Sequence, residues 1–360
     1  MKLCFIVGTR PEIIKMAPII KECQRRKINF FIVHTGQHYS YNLDKVFFEE
    51  LNLPEPKYNL NVGSGTQAVQ TAKALVGIEK ILFREKPDVV LVEGDTNTVL
   101  AGALAAAKLH IKVGHVEAGL RSYFKFMPEE INRILTDHCS DFLFAPTKKE
   151  SLILNSEGIK KNVFVTGNTI VDSVLQNIKI AEEKSNIMRE LGLTPKKYFL
   201  ITAHRMENVD DKNRLKNMLL SFKLLYKKFK LRMLYPIHPR TLKMIKKFKF
   251  KIPRGVEILK PLSYLDFLTL EKNALLILTD SGGVQEEACI LRVPCVTLRD
   301  NTERPETVEV GANTIAGVRP KSVVKAVEKM ISKKPNWRNP FGDGKSAFKI
   351  INIIEKNLSF

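Results

Sequence analysis

The sequence predicts an α/β protein in which two doubly wound parallel sheets follow one another along the chain. Short apolar runs alternate with segments of helical periodicity, a pattern typical of sheets built from strand–helix–strand units. The alternation begins again after about residue 172, and each half of the 360 residues is long enough for a core of its own. Polar side chains follow the strand ends in both halves, where open α/β sheets bind ligands.

The first half contains six predicted strands. They are short apolar runs at residues 3–7, 30–34, 88–92, 112–116, 142–145 and 163–166. Helices are predicted between them, as over residues 68–84 and 99–109, and Pro11 suits the first position of the helix that follows the first strand. We therefore assign residues 1–170 to an N-terminal Rossmann-like domain.

The second half contains five predicted strands, at residues 198–202, 233–237, 256–259, 275–279 and 295–298. We assign residues 171–344 to a C-terminal Rossmann-like, nucleotide-binding domain. The turn Asp280-Ser-Gly-Gly283 precedes a helix, so its free N–H groups and the helix dipole favour a phosphate or diphosphate. Glycine also lets a ligand approach the backbone, although a helix start that needs glycine only for its turn fits this stretch equally well.

Composition narrows the functional classes. A hydrophobic content of 44% with 27% charged residues is typical of soluble globular proteins, and no apolar run approaches the roughly 20 residues of a spanning helix. The five cysteines include no Cys-x-x-Cys pair, which predicts reduced core residues and a cytoplasmic location. The net charge of +20 is concentrated at residues 223–230 and 243–251, where interleaved apolar residues indicate the wet faces of amphipathic elements. Without a nucleic-acid-binding motif, we expect no nucleic-acid partner.

Polar residues beyond the predicted strand ends form the candidate site. In the first half they are Arg10, Lys15, Gln37, His38, Asp95 and Glu117; in the second they are His204, His238, Ser281, Arg299 and Arg304. We expect the two sheets to face each other so that these residues line one interdomain cleft. The first turn lacks the Gly-x-Gly-x-x-Gly fingerprint, which argues against a dinucleotide-dependent oxidoreductase.

An ordered set of short motifs resembles the non-hydrolysing UDP-N-acetylglucosamine 2-epimerases. The motifs are Gly8-Thr-Arg-Pro-Glu12, Thr35-Gly-Gln-His38, Gly94-Asp-Thr96, His115-Val-Glu-Ala-Gly-Leu-Arg121, Pro128-Glu-Glu130, Thr166-Gly-Asn168, Ala203-His-Arg205, Asp280-Ser-Gly-Gly-Val-Gln-Glu-Glu287 and Thr302-Glu-Arg-Pro-Glu306. Each is weakly specific alone, but the ordered set is highly specific and extends to about residue 317. The resemblance implies the two-domain GT-B architecture, with a last helix at about 345–360 packed on the first domain. It also implies interconversion of UDP-N-acetylglucosamine and UDP-N-acetylmannosamine for surface polysaccharide or glycan synthesis.

The chemistry of this reaction defines what the site must contain. Carbon 2 of the sugar has no adjacent carbonyl to acidify its C–H bond, so direct deprotonation would be very slow. Elimination of UDP gives an enzyme-bound 2-acetamidoglucal, and UDP adds back after the proton returns on the opposite face. This route needs a cationic cradle, proton-transfer groups and exclusion of water. It needs no cofactor, and we expect no metal.

The resemblance also implies roles for individual residues. The catalytic residues would be Asp95, Glu117, Glu129 and His204, and the residues that bind the UDP-sugar would be Arg10, Lys15, Arg133, Phe267, Ser281, Gly282, Gly283, Glu287 and Arg304. Within this set Glu287 would bind the ribose and Phe267 would lie beside the uracil. Each of three residues also has a structural alternative. Asp95 could be a helix N-cap, Glu129 could complement the helix dipole, and Phe267 could be a core residue.

Two aspects of the resemblance stay open. Bacterial members hold a second, activating UDP-N-acetylglucosamine, and the candidate allosteric residues Gln37, His38 and His238 are present here, but their neighbours differ from the usual bacterial ones. The family also implies a homodimer. A hydrolysing relative that releases UDP and free N-acetylmannosamine remains an alternative, as does a sugar-nucleotide binder or GT-B transferase. The combination of acids and bases argues against a pure binder.

Overall fold

The computed structural model describes residues 1–36 and 41–358, and it divides the chain into two compact units. The first unit comprises Met1–Gln176 together with Phe341–Phe360, and the second comprises Asn177–Pro340. Each unit contains one sheet of parallel strands with helices between successive strands. The predicted fold class of two doubly wound parallel-sheet domains is therefore confirmed.

The first unit follows the predicted alternation of strands and helices. Its elements are β1 Lys2–Val7, α1 Arg10–Arg26, β2 Asn29–His34, α2 Tyr41–Glu50, β3 Tyr58–Asn59, α3 Gln67–Glu85, β4 Val89–Glu93, α4 Asn97–Lys108, β5 Lys112–Val116, α5 Pro128–Cys139, β6 Phe142–Ala145, α6 Lys148–Ser156, β7 Val163–Val165 and α7 Thr169–Lys184, whose last residues belong to the second unit. Strand β3 lies outside the predicted strands because its two residues are too few to show a periodicity.

The strand order of the first sheet places a ligand crevice beyond two particular strands. The order is β3-β2-β1-β4-β5-β6-β7, so the direction of winding reverses between β1 and β4. In open α/β sheets ligands bind beyond the carboxyl ends of the strands at such a reversal. The turn after β1 is closely packed, because a Cβ on Gly8 would lie 2.2 Å from the hydroxyl oxygens of Thr35 and Thr98. Only glycine fits there without displacing its neighbours.

The second unit repeats the architecture with six strands. Its elements are α8 Ile187–Glu190, β8 Tyr198–Thr202, α9 Met206–Val209, α10 Lys212–Phe229, β9 Arg232–Pro236, α11 Pro239–Lys247, β10 Val256–Leu259, α12 Tyr264–Asn273, β11 Leu276–Thr279, α13 Gly282–Ile290, β12 Cys295–Thr297, α14 Pro305–Glu309, β13 Asn313–Ile315 and α15 Pro320–Ile331. The order β10-β9-β8-β11-β12-β13 reverses between β8 and β11. The same rule therefore places a crevice beyond the ends of β8 and β11.

Helices cover both faces of the second sheet. Helices α10, α11 and α15 bury Phe222, Ile245 and Val327 against one face, and α12 and α13 bury Leu270 and Ala288 against the other. The lysines of the predicted basic stretches lie on the outside of this layer, since Lys223 and Lys227 are exposed on α10. The charge of α10 is thus on the wet face of an amphipathic helix.

The last helix, α16 Ser346–Leu358, belongs to the first unit. The Asp172 carboxylate caps its start by accepting hydrogen bonds from the backbone N–H groups of Ser346 at 3.2 Å and Ala347 at 3.0 Å. Arg26, the last residue of α1, donates to Glu355 at 2.5 Å and stacks over the Phe348 ring. Helix α16 is thereby attached to α1 at both of its ends.

Three further properties concern the cysteine thiols, the length and apolarity of the helices, and the grouping of possible metal ligands. All five cysteines are free thiols, and four of them are buried. Within residues 1–36 and 41–358, none of the helices combines the length and apolar character that a membrane crossing requires. In the same described ranges, no three His, Cys, Asp or Glu side chains are grouped so that they could hold a metal ion.

Candidate active site

In the first unit, the ends of β4 and β5 bring the predicted acidic residues to one edge of the sheet. Glu93, the last residue of β4, is paired with Val116, the last residue of β5. Glu117 follows Val116 directly and Asp95 lies two residues after Glu93, so parallel pairing places both carboxylates at the same edge. Strand β1 pairs with β4 on the other side, which brings the start of α1 to this edge as well.

Glu117 lies in a buried cluster with a lysine and a second glutamate. The Lys15 Nζ atom contacts the Glu117 carboxylate and lies 3.3 Å from Oε1 of Glu93. Asn168, after β7, donates from Nδ2 to Oε1 of Glu117 at 3.4 Å. The backbone of Glu117 is left-handed, with φ of 70°, which costs a non-glycine residue roughly 1–2 kcal/mol. Such strain is typical of functional sites, where the surrounding structure imposes it.

A third buried glutamate, Glu12, connects the turns after β1 and β4. Its carboxylate accepts hydrogen bonds from the Gly8 N–H at 2.6 Å, from the Thr9 hydroxyl at 3.0 Å and from the Thr96 hydroxyl at 2.7 Å. Burial raises the pKa of Glu12 to about 7, although these three hydrogen bonds act in the opposite direction. The two turns that carry Arg10 and Asp95 are therefore held together by one side chain.

Asp95 is partly exposed, with 31% of its side chain accessible, and it contacts the guanidinium of Arg133 on α5. Asn132, which precedes Arg133 on α5, donates from Nδ2 to the Asp95 carbonyl oxygen at 3.0 Å. The N-cap of α4 is Thr96 rather than Asp95, so the capping alternative for Asp95 is wrong. The carboxylate is thus positioned by Arg133 and still reachable from solvent.

The two glutamates at the start of α5 differ in their surroundings. Glu130 is buried and accepts hydrogen bonds from the backbone of Ser122 and Tyr123, each at 2.8 Å, and from Arg133 at 3.0 Å. Burial opposes ionisation, but these donors outweigh it and lower the pKa of Glu130. Glu129 is partly exposed in the first turn of the helix. Glu130 therefore fixes the preceding loop, and Glu129 remains accessible.

A histidine–aspartate–arginine network lies behind the turn that carries Glu117. The two ring nitrogens of His115 lie 2.6 Å from Asp137 and 2.9 Å from the Gly94 carbonyl oxygen. Arg121 also pairs with Asp137, at 2.7 Å. Burial acts against ionisation of Asp137, yet the charges and hydrogen bonds of His115 and Arg121 lower its pKa. Three buried side chains thus fix the turns after β4 and β5.

In the second unit, Asp280 organises the turn that carries His204. The fully buried Asp280 carboxylate accepts hydrogen bonds from the backbone N–H groups of His204 and Arg205, both at 3.0 Å to Oδ2, and from Nδ2 of Asn208 at 3.1 Å. The His204 ring remains 44% exposed, and its centre lies 5.8 Å from that of His238. His204 is therefore held through its backbone while its imidazole stays accessible.

The start of α13 is open enough for a ligand to reach its backbone. Neither Gly282 nor Gly283 has a positive φ, and a Cβ at these positions would come no closer than 3.9 Å to Glu303 and 4.0 Å to Ser281. The fold alone therefore does not require glycine at either position. The alternative in which glycine serves only the turn does not account for this open space.

The loop after β12 is attached to α13 by hydrogen bonds. Thr302 donates to Gln285 at 2.6 Å, and Arg304 donates from Nε to Glu286 at 2.5 Å. Glu303 accepts two hydrogen bonds from Arg299, at 2.6 and 3.0 Å. Although burial acts in the opposite direction, the hydrogen bond from Arg299 and the charges of Arg205 and Arg299 lower the pKa of Glu303 to about 2. The cationic Arg304 side chain is thus anchored beside α13.

Glu287, further along α13, is buried next to α12. It accepts a hydrogen bond from the Tyr264 hydroxyl at 3.1 Å. Glu271 on α12 is completely buried, and neither of its carboxylate oxygens has a hydrogen-bond partner among residues 1–36 and 41–358. Burial and the neighbouring Glu287 raise the pKa of Glu271 well above its usual range. Phe267 packs against the apolar core of this face, which agrees with the core alternative for its ring.

Residues 21–355 match the family model described as UDP-N-acetylglucosamine 2-epimerase. The chain belongs to this family.

Relatives in this epimerase family match the chain over nearly its whole length. A UDP-N-acetylglucosamine 2-epimerase of Methanocaldococcus jannaschii is 59% identical over 98% of this chain and 99% of the relative. One from Methanococcus maripaludis is 54% identical over 98% of both chains. The crystal structure of the M. jannaschii enzyme, in complex with UDP-N-acetylglucosamine and UDP, matches with a TM-score of 0.91, covering 99% of this chain and 100% of that one.

The epimerase-family residues predicted from sequence fall into two groups in the structure. The first unit holds Arg10, Lys15, Asp95, Glu117, Glu129 and Arg133, and it brings Lys15 to Glu117 and Arg133 to Asp95. The second unit holds His204, His238, Phe267, Ser281, Gly282, Gly283, Glu287 and Arg304, and it brings His204 to His238. The guanidinium of Arg10 lies over the Phe47 ring at 4.8 Å. Gln37 and His38 lie outside the described residues.

Three buried carboxyl groups of the two units were not predicted from the sequence. Glu93, Asp137 and Glu271 are all buried carboxyl groups, and the charged neighbours of Glu93 and Asp137 lie far away in the sequence. Only Glu93 gave a signal, because a charged residue follows the four apolar residues of β4 without a break. Asp137 and Glu271 lie inside helices, where acidic residues are ordinary.

Proposed function

We propose that the protein interconverts UDP-N-acetylglucosamine and UDP-N-acetylmannosamine by eliminating and re-adding UDP. The observation that carries this proposal is the buried pairing of Lys15 with Glu117 beside the partly exposed Asp95. A protein that only binds a sugar nucleotide needs no strained, ion-paired carboxylate next to an accessible one. Proton transfer on two faces of a sugar ring does need two such groups.

The proposed reaction balances without a redox partner. A carboxylate removes the proton on carbon 2 while the bond between carbon 1 and the diphosphate oxygen breaks, and UDP carries away that electron pair. A double bond forms between carbons 1 and 2, giving 2-acetamidoglucal. Return of a proton to the opposite face of carbon 2 and of UDP to carbon 1 completes the inversion. We assign the proton transfers to Asp95, Glu117, Glu129 and His204.

Binding of the UDP moiety is assigned to the second unit. The open amides of Ser281, Gly282 and Gly283 at the start of α13 and the anchored Arg304 suit a diphosphate. Glu287 offers carboxylate oxygens to the ribose hydroxyls. Arg10, Lys15 and Arg133 add positive charge in the first unit. The proposed reaction therefore uses residues of both units.

The product identifies the reaction. We expect UDP-N-acetylglucosamine incubated with the protein to give a mixture of the two UDP-sugars in the NMR spectrum, with little free sugar. Release of UDP and N-acetylmannosamine in equal amounts would instead identify the hydrolysing reaction. We also propose that the product supplies surface polysaccharide or glycan synthesis and that the protein acts in the cytoplasm. A role of His238, with Gln37 and His38, in activation by UDP-N-acetylglucosamine is also proposed from the family.

We further propose that the protein acts as a homodimer through one face of the first unit. Helix α3 exposes Val69, Val76 and Phe83 at seven-residue intervals, and α5 exposes Ile131 and Leu135. Helix α4 packs against both α3 and α5, so these side chains belong to one helical layer. Exposed apolar patches of this kind favour self-association. In light scattering, the protein should have the mass of two chains, and Val76→Glu should reduce it to one; a monomeric wild-type protein would contradict this.

A further inference from the structure

Glu93 is a buried carboxyl group to which neither the epimerase motifs nor the proposed function gives a role. It is the last residue of β4 and only 2% exposed. The Lys15 ammonium lies 3.3 Å from its Oε1 atom and simultaneously contacts Glu117. One lysine therefore faces two glutamates in a space from which solvent is nearly excluded, since all three side chains are at least nine-tenths buried.

The charges of this cluster favour one state. If both glutamates were ionised, the three groups would carry a net negative charge in a medium of low dielectric constant, which is costly. One retained proton makes the cluster neutral. Glu117 is the better carboxylate, because it contacts Lys15 directly and accepts from Asn168 at 3.4 Å. Oε1 of Glu93, by contrast, accepts no hydrogen bond from any residue that the structure describes. The proton therefore belongs on Glu93.

The titration of Glu93 agrees with this assignment. Burial raises its pKa well above the usual range; the Lys15 charge acts against this shift, and the hydrogen bond and charge of Glu117 add to it. The titratable groups that face Glu93 are Lys15 and Glu12 on α1 and Glu117 after β5. Only Lys15 among them favours ionisation, and Glu117 already contacts that ammonium.

We propose that Glu93 is a positioning residue that keeps its proton and donates it in a hydrogen bond to the Glu117 carboxylate. This inference rests on the proposed function, in which Glu117 transfers a proton at carbon 2. The hydrogen bond fixes the Glu117 side chain from the side of the sheet. Together with Lys15 it also stabilises the charged form of Glu117, so that this carboxylate is ready to accept a proton.

This arrangement has a consequence at alkaline pH. When Glu93 loses its proton, a second negative charge appears beside Glu117 and competes for Lys15. Turnover of the wild-type protein should therefore fall as the pH rises through the pKa of Glu93. In Glu93→Gln the amide still donates to Glu117 but has no proton to lose, so this alkaline fall should disappear. In Glu93→Leu the donor is absent at every pH.

The test combines kinetics with infrared spectroscopy. At neutral pH we expect the kcat of Glu93→Leu to fall roughly tenfold or more, the scale of a lost hydrogen bond to a charged group. The kcat of Glu93→Gln should fall clearly less, and its pH profile should lose the alkaline limb. The infrared difference spectrum of wild type minus Glu93→Gln should contain a carbonyl band of a protonated carboxylic acid at neutral pH. Glu271→Gln removes a different buried carboxyl group and should leave the alkaline limb in place.

Several results would overturn the inference. These are an alkaline fall that persists unchanged in Glu93→Gln, a kcat of Glu93→Leu equal to that of the wild type, or a difference spectrum without a carboxylic-acid band. The infrared measurement does not depend on turnover or on the folding of Glu93→Leu. A wild-type protein that shows the band but does not epimerise the UDP-sugar would therefore contradict the proposed function and leave the protonation of Glu93 established.

Discussion

The two units share a fold class, but they differ in net charge and in the polar groups that lie at their strand ends. Residues 177–340 contain 33 Lys and Arg against 17 Asp and Glu, a formal charge of +16, whereas the rest of the chain contains 25 and 21, a formal charge of +4. In the first unit, Glu93 and Glu117 at the ends of β4 and β5 are buried and share Lys15, and only Asp95 is partly exposed among the three carboxyl groups named there. In the second, the corresponding edge offers open backbone amides and an exposed imidazole.

This difference follows from what each edge is proposed to do. Proton transfer needs carboxyl groups whose ionisation is controlled, and burial beside a single lysine controls it. Binding of a diphosphate needs donors that approach closely and a positive field, which glycine amides and a basic unit provide. One fold class can thus present buried, ion-paired carboxyl groups in one copy and open backbone amides in the other, because the residues that follow the strands differ.

The largest effect should come from removing a carboxylate of the first unit. Asp95→Asn preserves shape while removing the charge, so turnover should fall by roughly 100-fold or more if the carboxylate transfers a proton. The melting temperature should hardly change, since Asp95 is partly exposed. Turnover and thermal unfolding should be measured on the same preparation.

Glu130→Gln is the matched control for Asp95→Asn, because both carboxylates contact Arg133. Glu130 is buried and accepts from several donors, so its replacement should lower the free energy of unfolding by about 1–3 kcal/mol. Activity per folded molecule should survive far better than in Asp95→Asn. Equal turnover losses in the two variants would remove the distinction between a catalytic and a structural carboxylate.

A smaller effect, confined to binding, should appear in the second unit. Gly282→Ala places a Cβ where the fold has room, and the helical start tolerates it, so stability should stay equal or rise by about 0.4–1 kcal/mol. The same Cβ should obstruct a diphosphate on the amides and weaken UDP binding about tenfold or more in calorimetry. Unchanged affinity for UDP would show that the start of α13 does not hold the nucleotide.

Most of the fold could be predicted from the sequence, because a strand or helix is recognised from the pattern of its own residues. Apolar runs such as that of β4 are visible without any neighbour. Strand β3, with two residues, is too short to show a pattern, and two of the three residues of β13 are polar. The same limit applies to the residues of the candidate site. Asp95 and Glu117 could be located from motifs, but the contact between Lys15 and Glu117 joins residues 102 positions apart. The proton on Glu93 follows from such contacts, and no spacing in the sequence contains it.

The smallest effect concerns Glu271, whose raised pKa makes stability depend on pH. The folded state keeps this proton, whereas the unfolded chain releases it above about pH 4.5, so Glu271 destabilises the fold increasingly as the pH rises from that value towards its folded pKa. Glu271→Met replaces an unpartnered polar group with an apolar one. It should raise the melting temperature more at pH 8 than at pH 5.

Glu309→Met is the control for Glu271→Met, since Glu309 is an exposed carboxylate in the same unit. It should shift the melting temperature equally at the two pH values. A melting temperature of Glu271→Met that changes in parallel with the wild type from pH 5 to pH 8 would mean that Glu271 is not held protonated in the fold.

The central claim is that the first unit performs proton transfer at carbon 2 of a UDP-sugar. The most direct measurement is the proton NMR spectrum of UDP-N-acetylglucosamine incubated with the protein in deuterated water. The account predicts UDP-N-acetylmannosamine that carries deuterium at carbon 2, with the same exchange appearing in the recovered UDP-N-acetylglucosamine, and neither change with Asp95→Asn on the same timescale. Epimerised product that retains the original hydrogen at carbon 2, or full deuterium incorporation by Asp95→Asn, would contradict it.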